Sequence, residues 1–241
     1  FGSIPFKLFQ LPAFNSEKVR KSFSFGMWSM LAAIGMLLMG LIDKIFINEF
    51  INKEILGKYT ILSSLISYLP LLVVIVSNVL LSNYLKIWEK NQQIVINKIN
   101  QVFYILLILL IIGSILMNYF SDFIISNLYG NIYVGLAHLI PIMLRSVFYN
   151  SNYMIMGNLA AISKNPKFTT YSFLIGLSVN VIGNFFFTPI FGLNAIVITT
   201  AVSYFFIAVS MSLFIKFHIR GFSLKPLIST IVVSILIYYV C

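Results

Sequence analysis

Seven long apolar runs are the feature of this sequence that most restricts its fold. A helix that crosses the hydrocarbon core of a bilayer needs roughly 20 mostly apolar residues. Hydrophobic residues make up 60% of the chain and charged residues only 9%, against about 25% charged residues in soluble domains. The sequence therefore predicts an all-α, polytopic transmembrane helical bundle of about seven spans, at residues 22–42, 59–81, 102–120, 133–162, 169–188, 195–216 and 226–241.

The seventh run is shorter than a full crossing of the membrane. We therefore expect six complete spans and one truncated span, in a chain that is a piece of a larger protein. A transmembrane β-barrel would instead require short segments in which apolar and polar residues alternate. The continuous apolar stretch at 105–112 does not alternate, and this favours helices.

Lysine and arginine residues alternate between the two sides of the predicted spans. Twelve lie on the side of the N-terminus, three lie on the opposite side, and Arg145 lies inside a span. Because basic loops stay in the cytoplasm, we expect a cytoplasmic N-terminus. We interpret residues 1–21 as a linker, either interfacial or disordered, and residues 22–241 as the transmembrane bundle. The interfacial interpretation depends on the apolar residues of this segment, namely Phe6, Leu8, Phe9, Leu11 and Phe14.

Several function classes are excluded by the same composition. The basic residues are scattered over short loops, which argues against a nucleic-acid partner. A single cysteine excludes an internal disulfide and a cysteine-based metal site, and no glycine-rich nucleotide-binding motif is present. The six acidic residues are predicted to lie at or beyond the span ends, which leaves little for acid–base or metal catalysis. We expect a transporter, not an enzyme, without metal or cofactor.

Arg145 is the clearest functional candidate, because a charge near the middle of a bilayer is costly. The prediction places it near the centre of the fourth span, with His138, Tyr149 and Asn152 on the same stripe and Pro141 breaking the helix between His138 and Arg145. One interpretation is the cationic wall of an aqueous cavity for an anionic substrate. The other is a structural arginine that is held by carbonyl groups or by an acid on another helix.

Other polar residues of the spans have two interpretations each. Asn180 and Asn184 share a face of the fifth span with Gly176 and Gly183, which predicts helix packing, with cavity lining as the second interpretation. Asp43 is predicted to end the first span at the outer interface, where it is solvated or pairs with Lys44 or a neighbouring helix. His138 either packs against a carbonyl group or, together with Asp43, couples transport to a proton or sodium gradient.

Two groups of short motifs carry a family resemblance. Residues 43–47 (DKIFI) close one span and 56–59 (LGKY) open the next. Further along lie 164–167 (KNPK), 180–184 (NVIGN), 188–195 (TPIFGLNA) and 203–204 (SY). These features resemble the junction of the seventh and eighth helices, and then the eleventh and twelfth helices, of Wzx-type polysaccharide flippases. That family shares the MATE/MOP superfamily with the MATE exporters and lipid II flippases.

The resemblance implies the C-terminal half of a transporter whose missing N-terminal half belongs to the same chain. It implies a flippase of the bacterial cytoplasmic (inner) membrane, surrounded by membrane lipids, that moves an undecaprenyl-pyrophosphate-linked oligosaccharide for O-antigen, capsule or exopolysaccharide synthesis. Arg145 would then attract the pyrophosphate or an acidic sugar. The alternative is a MATE-type multidrug or metabolite antiporter, which predicts cation-binding acids inside the spans. A glycan polymerase or a structural membrane subunit also stays open.

Overall fold

Helices account for the whole architecture of the described chain. A computed structural model describes residues 16–240. Two short 3-10 turns, Asn131–Tyr133 and Ala137–Leu139, connect the third and fourth α-helices. The all-α prediction is confirmed, and no strand occurs between residues 16 and 240. The α-helices are α1 Ser16–Phe50, α2 Lys53–Trp88, α3 Gln92–Tyr129, α4 Ile140–Ile162, α5 Lys167–Phe191, α6 Leu193–His218 and α7 Lys225–Val240.

The N-terminal segment is only partly described. Helix α1 begins at Ser16, so the last residues of the interval predicted as a linker are helical. The apolar residues on which the interfacial interpretation depends, at positions 6–14, lie outside the described residues.

Local sequence signals explain where several helices begin and end. Asn52 and Asn91 precede α2 and α3, and their side-chain oxygens accept hydrogen bonds from the backbone N–H groups of Ile55 and Ile94. Such caps satisfy N–H groups that have no partner inside the helix. Gly192 alone separates α5 from α6, and its φ of 57° is a conformation that glycine adopts without steric cost. The predicted turn between these two spans is confirmed.

Five helices of the described chain are long and apolar enough to cross a membrane. These segments are Val19–Phe50, Lys53–Ser77, Gln92–Tyr129, Lys167–Phe191 and Leu193–His218. Helix α7 is apolar but has only 16 residues. Helix α4 carries more polar residues, and it packs against α2, α3, α5, α6 and α7 in the centre of the bundle. A central helix has little contact with lipid, so its polar residues are compatible with the membrane environment. Seven spans therefore stay a prediction for α4 and α7.

Three turns that carry basic residues lie at the same end of the bundle. Lys164 in the α4–α5 turn reaches Glu89 in the α2–α3 turn, with 3.7 Å between the Nζ and Oε1 atoms. Gln93, at the start of α3, lies against Gly221 in the α6–α7 turn. The helices thus alternate in direction, as the loop charges predict. A cytoplasmic location of this end stays a prediction that follows from those charges.

Small residues allow α5 and α6 to approach closely. A Cβ atom added to Gly176 would overlap the Ile207 side chain and lie 2.9 Å from the backbone oxygen of Ser203. A Cβ atom added to Gly183 would lie 2.7 Å from Thr199. Larger residues could not occupy either position without moving the helices apart. The packing interpretation of this face of α5 is confirmed for its two glycines.

Candidate functional site

Asp43 is the acidic residue around which the best-defined polar site is built. The sequence predicts that it ends the first span at the outer interface, where it is solvated or pairs with Lys44 or a neighbouring helix. The solvated alternative is wrong because the side chain is buried, and hydrogen bonds to neighbouring helices confirm the last alternative. Helix α1 continues to Phe50, which places Asp43 about 10 Å before the helix end at 1.5 Å per residue. Its exposed fraction is 3%. Asp43 and Lys44 interrupt the apolar run of the sequence, but the helix continues through them.

Four side chains from three other helices donate hydrogen bonds to the Asp43 carboxylate. Tyr59 on α2 and Thr200 on α6 donate hydroxyl groups to Oδ2, at 2.9 and 2.7 Å. Asn180 and Asn184 on α5 donate amide groups to Oδ1, both at 3.2 Å. An ionised carboxylate has about four acceptor positions, and all of them are used. We call these five residues the Asp43 cluster.

Hydrogen bonds within the Asp43 cluster also order its donors. The Asn184 amide donates to the Asn180 side-chain oxygen at 3.2 Å, and the Asn180 amide donates to Thr200 Oγ1 at 3.1 Å. The hydroxyl group of Thr199 donates to the side-chain oxygen of Asn184. The ion pairs recorded among residues 16–240 do not include Asp43. Hydrogen bonds alone therefore compensate the cost of burying this carboxylate.

The oxygen atoms of this cluster could also bind a small cation. Carboxylate, amide and hydroxyl oxygens are the ligands that hard cations prefer, and a carboxylate can accept a proton instead. If a cation or a proton arrived, the amide and hydroxyl groups could rotate to present oxygen atoms in place of hydrogen atoms. The arrangement is thus chemically suited to bind a proton or an alkali-metal ion reversibly.

A cavity of about 550 Å³ lies beside Asp43, between α1, α2, α4 and α6. Most of its wall is apolar, and Met36, Met39 and Met143 contribute to it. Ligand sites commonly have this composition, an apolar wall with a few polar groups that orient the ligand. The polar lining comes from the residues Asp43, Lys44, Tyr59, Ser63, Ser64, Ser67, Ser146, Asn150, Thr200 and Tyr204.

Asn150 is a cavity residue that the sequence interpretation missed. It is buried, and its Oδ1 atom has no hydrogen-bond partner among the described residues. An unsatisfied polar atom at a cavity wall is costly and calls for a ligand or a water molecule. Helical spacing is the signal that could have identified Asn150. One face of α4 lines the cavity, with residues spaced three or four positions apart, namely Met143, Ser146, Val147 and Asn150.

The predicted site residues do not come together in one site. Asn180 and Asn184 lie in the Asp43 cluster. Tyr149 and Asn152 instead bond to other helices: Tyr149 shares a hydrogen bond of 2.7 Å with Ser234 on α7, and Asn152 donates to Thr230 at 3.1 Å. Ser212 on α6 donates to Asn152 Oδ1 at 3.2 Å. These bonds join α4 to α6 and α7.

Arg145 and His138 lie nearer to a helix end than the sequence predicts. Helix α4 begins at Ile140, and Pro141 occupies its first turn, where the missing N–H costs nothing. The expectation that Pro141 breaks a continuous helix is therefore wrong. Arg145 lies in the second turn of α4 and is half-buried, while His138 is exposed in the preceding 3-10 turn. His138 does not belong to the Asp43 cluster.

Comparisons with known proteins point to membranes and polysaccharides. Residues 6–95 match the protein family described as "Polysaccharide biosynthesis protein". An uncharacterized membrane protein of Methanocaldococcus jannaschii is 29% identical over 195 residues, which cover 80% of this chain. The aligned region is 38% of the length of that relative. No solved structure gives a significant match. Together with the apolar helices, these similarities indicate a helical membrane protein, part of which resembles a polysaccharide biosynthesis family.

Proposed function

We propose that this chain forms part of a flippase that moves an undecaprenyl-pyrophosphate-linked oligosaccharide across the bacterial cytoplasmic membrane. The match of residues 6–95 to a polysaccharide biosynthesis family supports the class of cargo. A bundle of apolar helices with a partly polar cavity supports transport. The O-antigen, capsule and exopolysaccharide assignments all belong to the same proposal.

The observation that carries a transport mechanism is the buried Asp43 carboxylate at the cavity wall. Its donors come from α2, α5 and α6, so the charge state of one side chain affects the contacts of four helices. A bound proton or sodium ion would weaken the hydrogen bonds between these donors and the carboxylate, and would favour another arrangement of the helices. In this proposal Asp43 couples cargo movement to an ion gradient.

Arg145 keeps its proposed role at the phosphate end of the cargo. It follows Leu144 and precedes Ser146, and Ser146 lines the cavity. Half-burial in the second turn of α4 leaves a long, flexible side chain able to reach a neighbouring aqueous space. Tyr149 and Asn152 hold α4 in place through α7. His138 stays a weaker candidate for coupling, because it lies outside the Asp43 cluster.

The proposal is tested by complementation with the full-length protein in cells that lack it. Surface glycan is measured for Asp43→Asn, which keeps the shape of the side chain but removes its charge. We expect most export to be lost while the amount of protein in the membrane is unchanged. Asp122→Asn is the matched control, because Asp122 is an exposed acid on α3. Full export by Asp43→Asn would overturn the coupling role, and failure of the unmodified protein to support any export would overturn the flippase.

The MATE-type antiporter is the second candidate, and the same residue favours it. That alternative requires an acid inside a span, and the sequence interpretation found none. The structure places Asp43 inside the apolar segment Val19–Phe50. The two candidates differ in cargo, so the discriminating measurement is cellular resistance to cationic drugs. Resistance that depends on Asp43, without any effect on surface glycan, would favour the antiporter.

A further inference from the structure

A second cavity lies at the end of the bundle that carries the basic turns. It has a volume of about 700 Å³ and lies between the first turns of α1 and the α4–α5 turn. Four of its lining residues are basic, namely Arg20, Lys21, Lys164 and Lys167. We call this cavity the basic pocket. It is separate from the Asp43 cavity, with which it shares no lining residue.

Lys164 reaches the basic pocket from a backbone conformation that a lysine rarely adopts. Its φ is 61°, in the left-handed region where glycine or asparagine is usual. The N–H groups of Lys164 and Asn165 donate to the carbonyl groups of Ala161 and Ala160, which is the Schellman arrangement that ends a helix. This conformation is sterically unfavourable for a residue that has a Cβ atom. A lysine at this position is unfavourable for folding and indicates another role for its charge.

Aromatic and hydroxyl side chains complete the basic pocket. Trp28 contributes to the wall, and its ring lies edge-on to that of Tyr171, with centroids 5.4 Å apart. Thr170 donates a hydrogen bond of 2.6 Å to the Trp28 carbonyl, which fixes this turn of α1 against α5. Ser22 and Ser24 add hydroxyl groups. Tryptophan and tyrosine prefer the level of the lipid headgroups.

Two acidic residues pair with two of the four basic side chains. Glu17 pairs with Lys21 at 2.7 Å, and Glu89 pairs with Lys164 at 3.7 Å. All four of these side chains are more than 70% exposed, and exposed ion pairs contribute little stability. They can therefore open at small cost. Arg20 and Lys167 do not take part in either pair, so the pocket keeps an excess of positive charge.

We propose that the basic pocket binds the phosphate group of an anionic phospholipid at the membrane surface. Phosphate oxygens are matched by arginine and lysine donors, and basic pockets between membrane helices are known to receive anionic headgroups. A membrane lipid is the favoured source of the phosphate because Phe25 lines the pocket with a partly exposed apolar side chain, and Phe23 and Met30 on the same helix are also exposed. The inference concerns a different surface from the Asp43 cavity and does not rest on the proposed function.

The test reads lipid binding at the basic pocket itself. The full-length protein is placed in vesicles of phosphatidylcholine with increasing phosphatidylglycerol, where one lipid at a time is brominated on its acyl chains. Quenching of Trp28 is the difference between the protein and its Trp28→Phe variant. We expect quenching by brominated phosphatidylglycerol at a lower mole fraction than by brominated phosphatidylcholine. Equal quenching by the two lipids would overturn the proposal.

Lys164→Gly separates binding from folding, because glycine removes the charge and relieves the backbone conformation. We expect an unfolding temperature in detergent that is unchanged or higher. Preference for phosphatidylglycerol should fall about fivefold, the change that corresponds to about 1 kcal/mol per basic residue at an anionic surface. Lys167→Gln should give a similar loss from a position with ordinary backbone geometry.

Lys98→Gln is the matched control, because Lys98 is an exposed lysine near the start of α3 that does not line the basic pocket. An equal loss in Lys98→Gln would show general attraction to the surface and overturn the site. Inorganic phosphate and pyrophosphate are added to the phosphatidylcholine vesicles in a separate arm. Stabilisation of the protein by these ions without any preference for phosphatidylglycerol would overturn the assignment to a lipid.

Discussion

Removing the Asp43 carboxylate should destabilise the bundle by an amount that the hydrogen bonds predict. In Asp43→Ala, the donors Tyr59, Thr200, Asn180 and Asn184 all lose their bond to the carboxylate. Hydrogen bonds between membrane helices average about 0.6 kcal/mol each, and bonds to a charged group in soluble proteins reach about 1.5–3 kcal/mol. Hydrogen bonds among the donors survive in part, so we expect the free energy of unfolding to fall by about 2–4 kcal/mol.

Asp43→Asn should destabilise the protein much less than Asp43→Ala, since a neutral asparagine amide can form hydrogen bonds with the same four residues. Its Oδ1 atom can accept from Asn180 and Asn184, and its Nδ2 group can donate to the hydroxyl oxygens of Tyr59 and Thr200. All four bonds are then kept without the contribution of charge. We expect about 1 kcal/mol of destabilisation, which leaves the variant folded for transport measurements.

The measurement is the thermal unfolding midpoint of the full-length protein in one detergent at one protein concentration. Asp122→Ala supplies the reference, because exposed substitutions usually change stability by less than about 0.5 kcal/mol. The expected order of stability is Asp122→Ala, then Asp43→Asn, then Asp43→Ala. If Asp43→Ala unfolded at the same temperature as Asp122→Ala, the four hydrogen bonds would contribute nothing to stability, and a stabilising role of the Asp43 cluster would be refuted.

Three further predictions concern packing, cargo and the seventh helix. Gly176→Ala should destabilise the protein by about 1–3 kcal/mol, because the added methyl group clashes with Ile207. Gly26→Ala has open space around it and should be neutral or stabilising in the same thermal assay. Arg145→Ala should reduce surface glycan in the complementation assay, and undiminished export would remove Arg145 from the mechanism. Asn152→Ala should lower the free energy of unfolding by about 1 kcal/mol and make α7 more accessible to proteolysis. Unchanged cleavage would show that Asn152 does not hold this helix.

The sequence predicted those features that depend on neighbouring residues. Apolar runs marked the helices, Gly192 marked the turn between α5 and α6, and the spacing of Gly176 and Gly183 marked a packed face. Asn180 and Asn184 were selected as polar residues on that same face. Helices, the turn and the packed face depend on local patterns along the chain, so composition and periodicity are sufficient to predict them.

The polar site itself could not be predicted because its partners are distant in sequence. Asp43 and Asn180 are separated by 137 positions, and no periodicity relates two helices that meet only in the folded bundle. The position of Arg145 along α4 differs from the prediction for another reason. The apolar run begins before α4 does, so the centre of the run is not the centre of the helix, and Arg145 lies nearer to the start of α4.

The one-residue connection at Gly192 has a consequence for the energetics of transport. The link is short, and glycines keep α5 and α6 in close contact. We therefore expect the hairpin that carries Asn180, Asn184 and Thr200 to move as one unit. Asp43 belongs to a different helix. Any motion that separates α1 from this hairpin must therefore break three hydrogen bonds to one carboxylate together. Ligand occupancy at Asp43 and the opening of the bundle are then linked thermodynamically, and whatever neutralises the carboxylate lowers the free energy of opening.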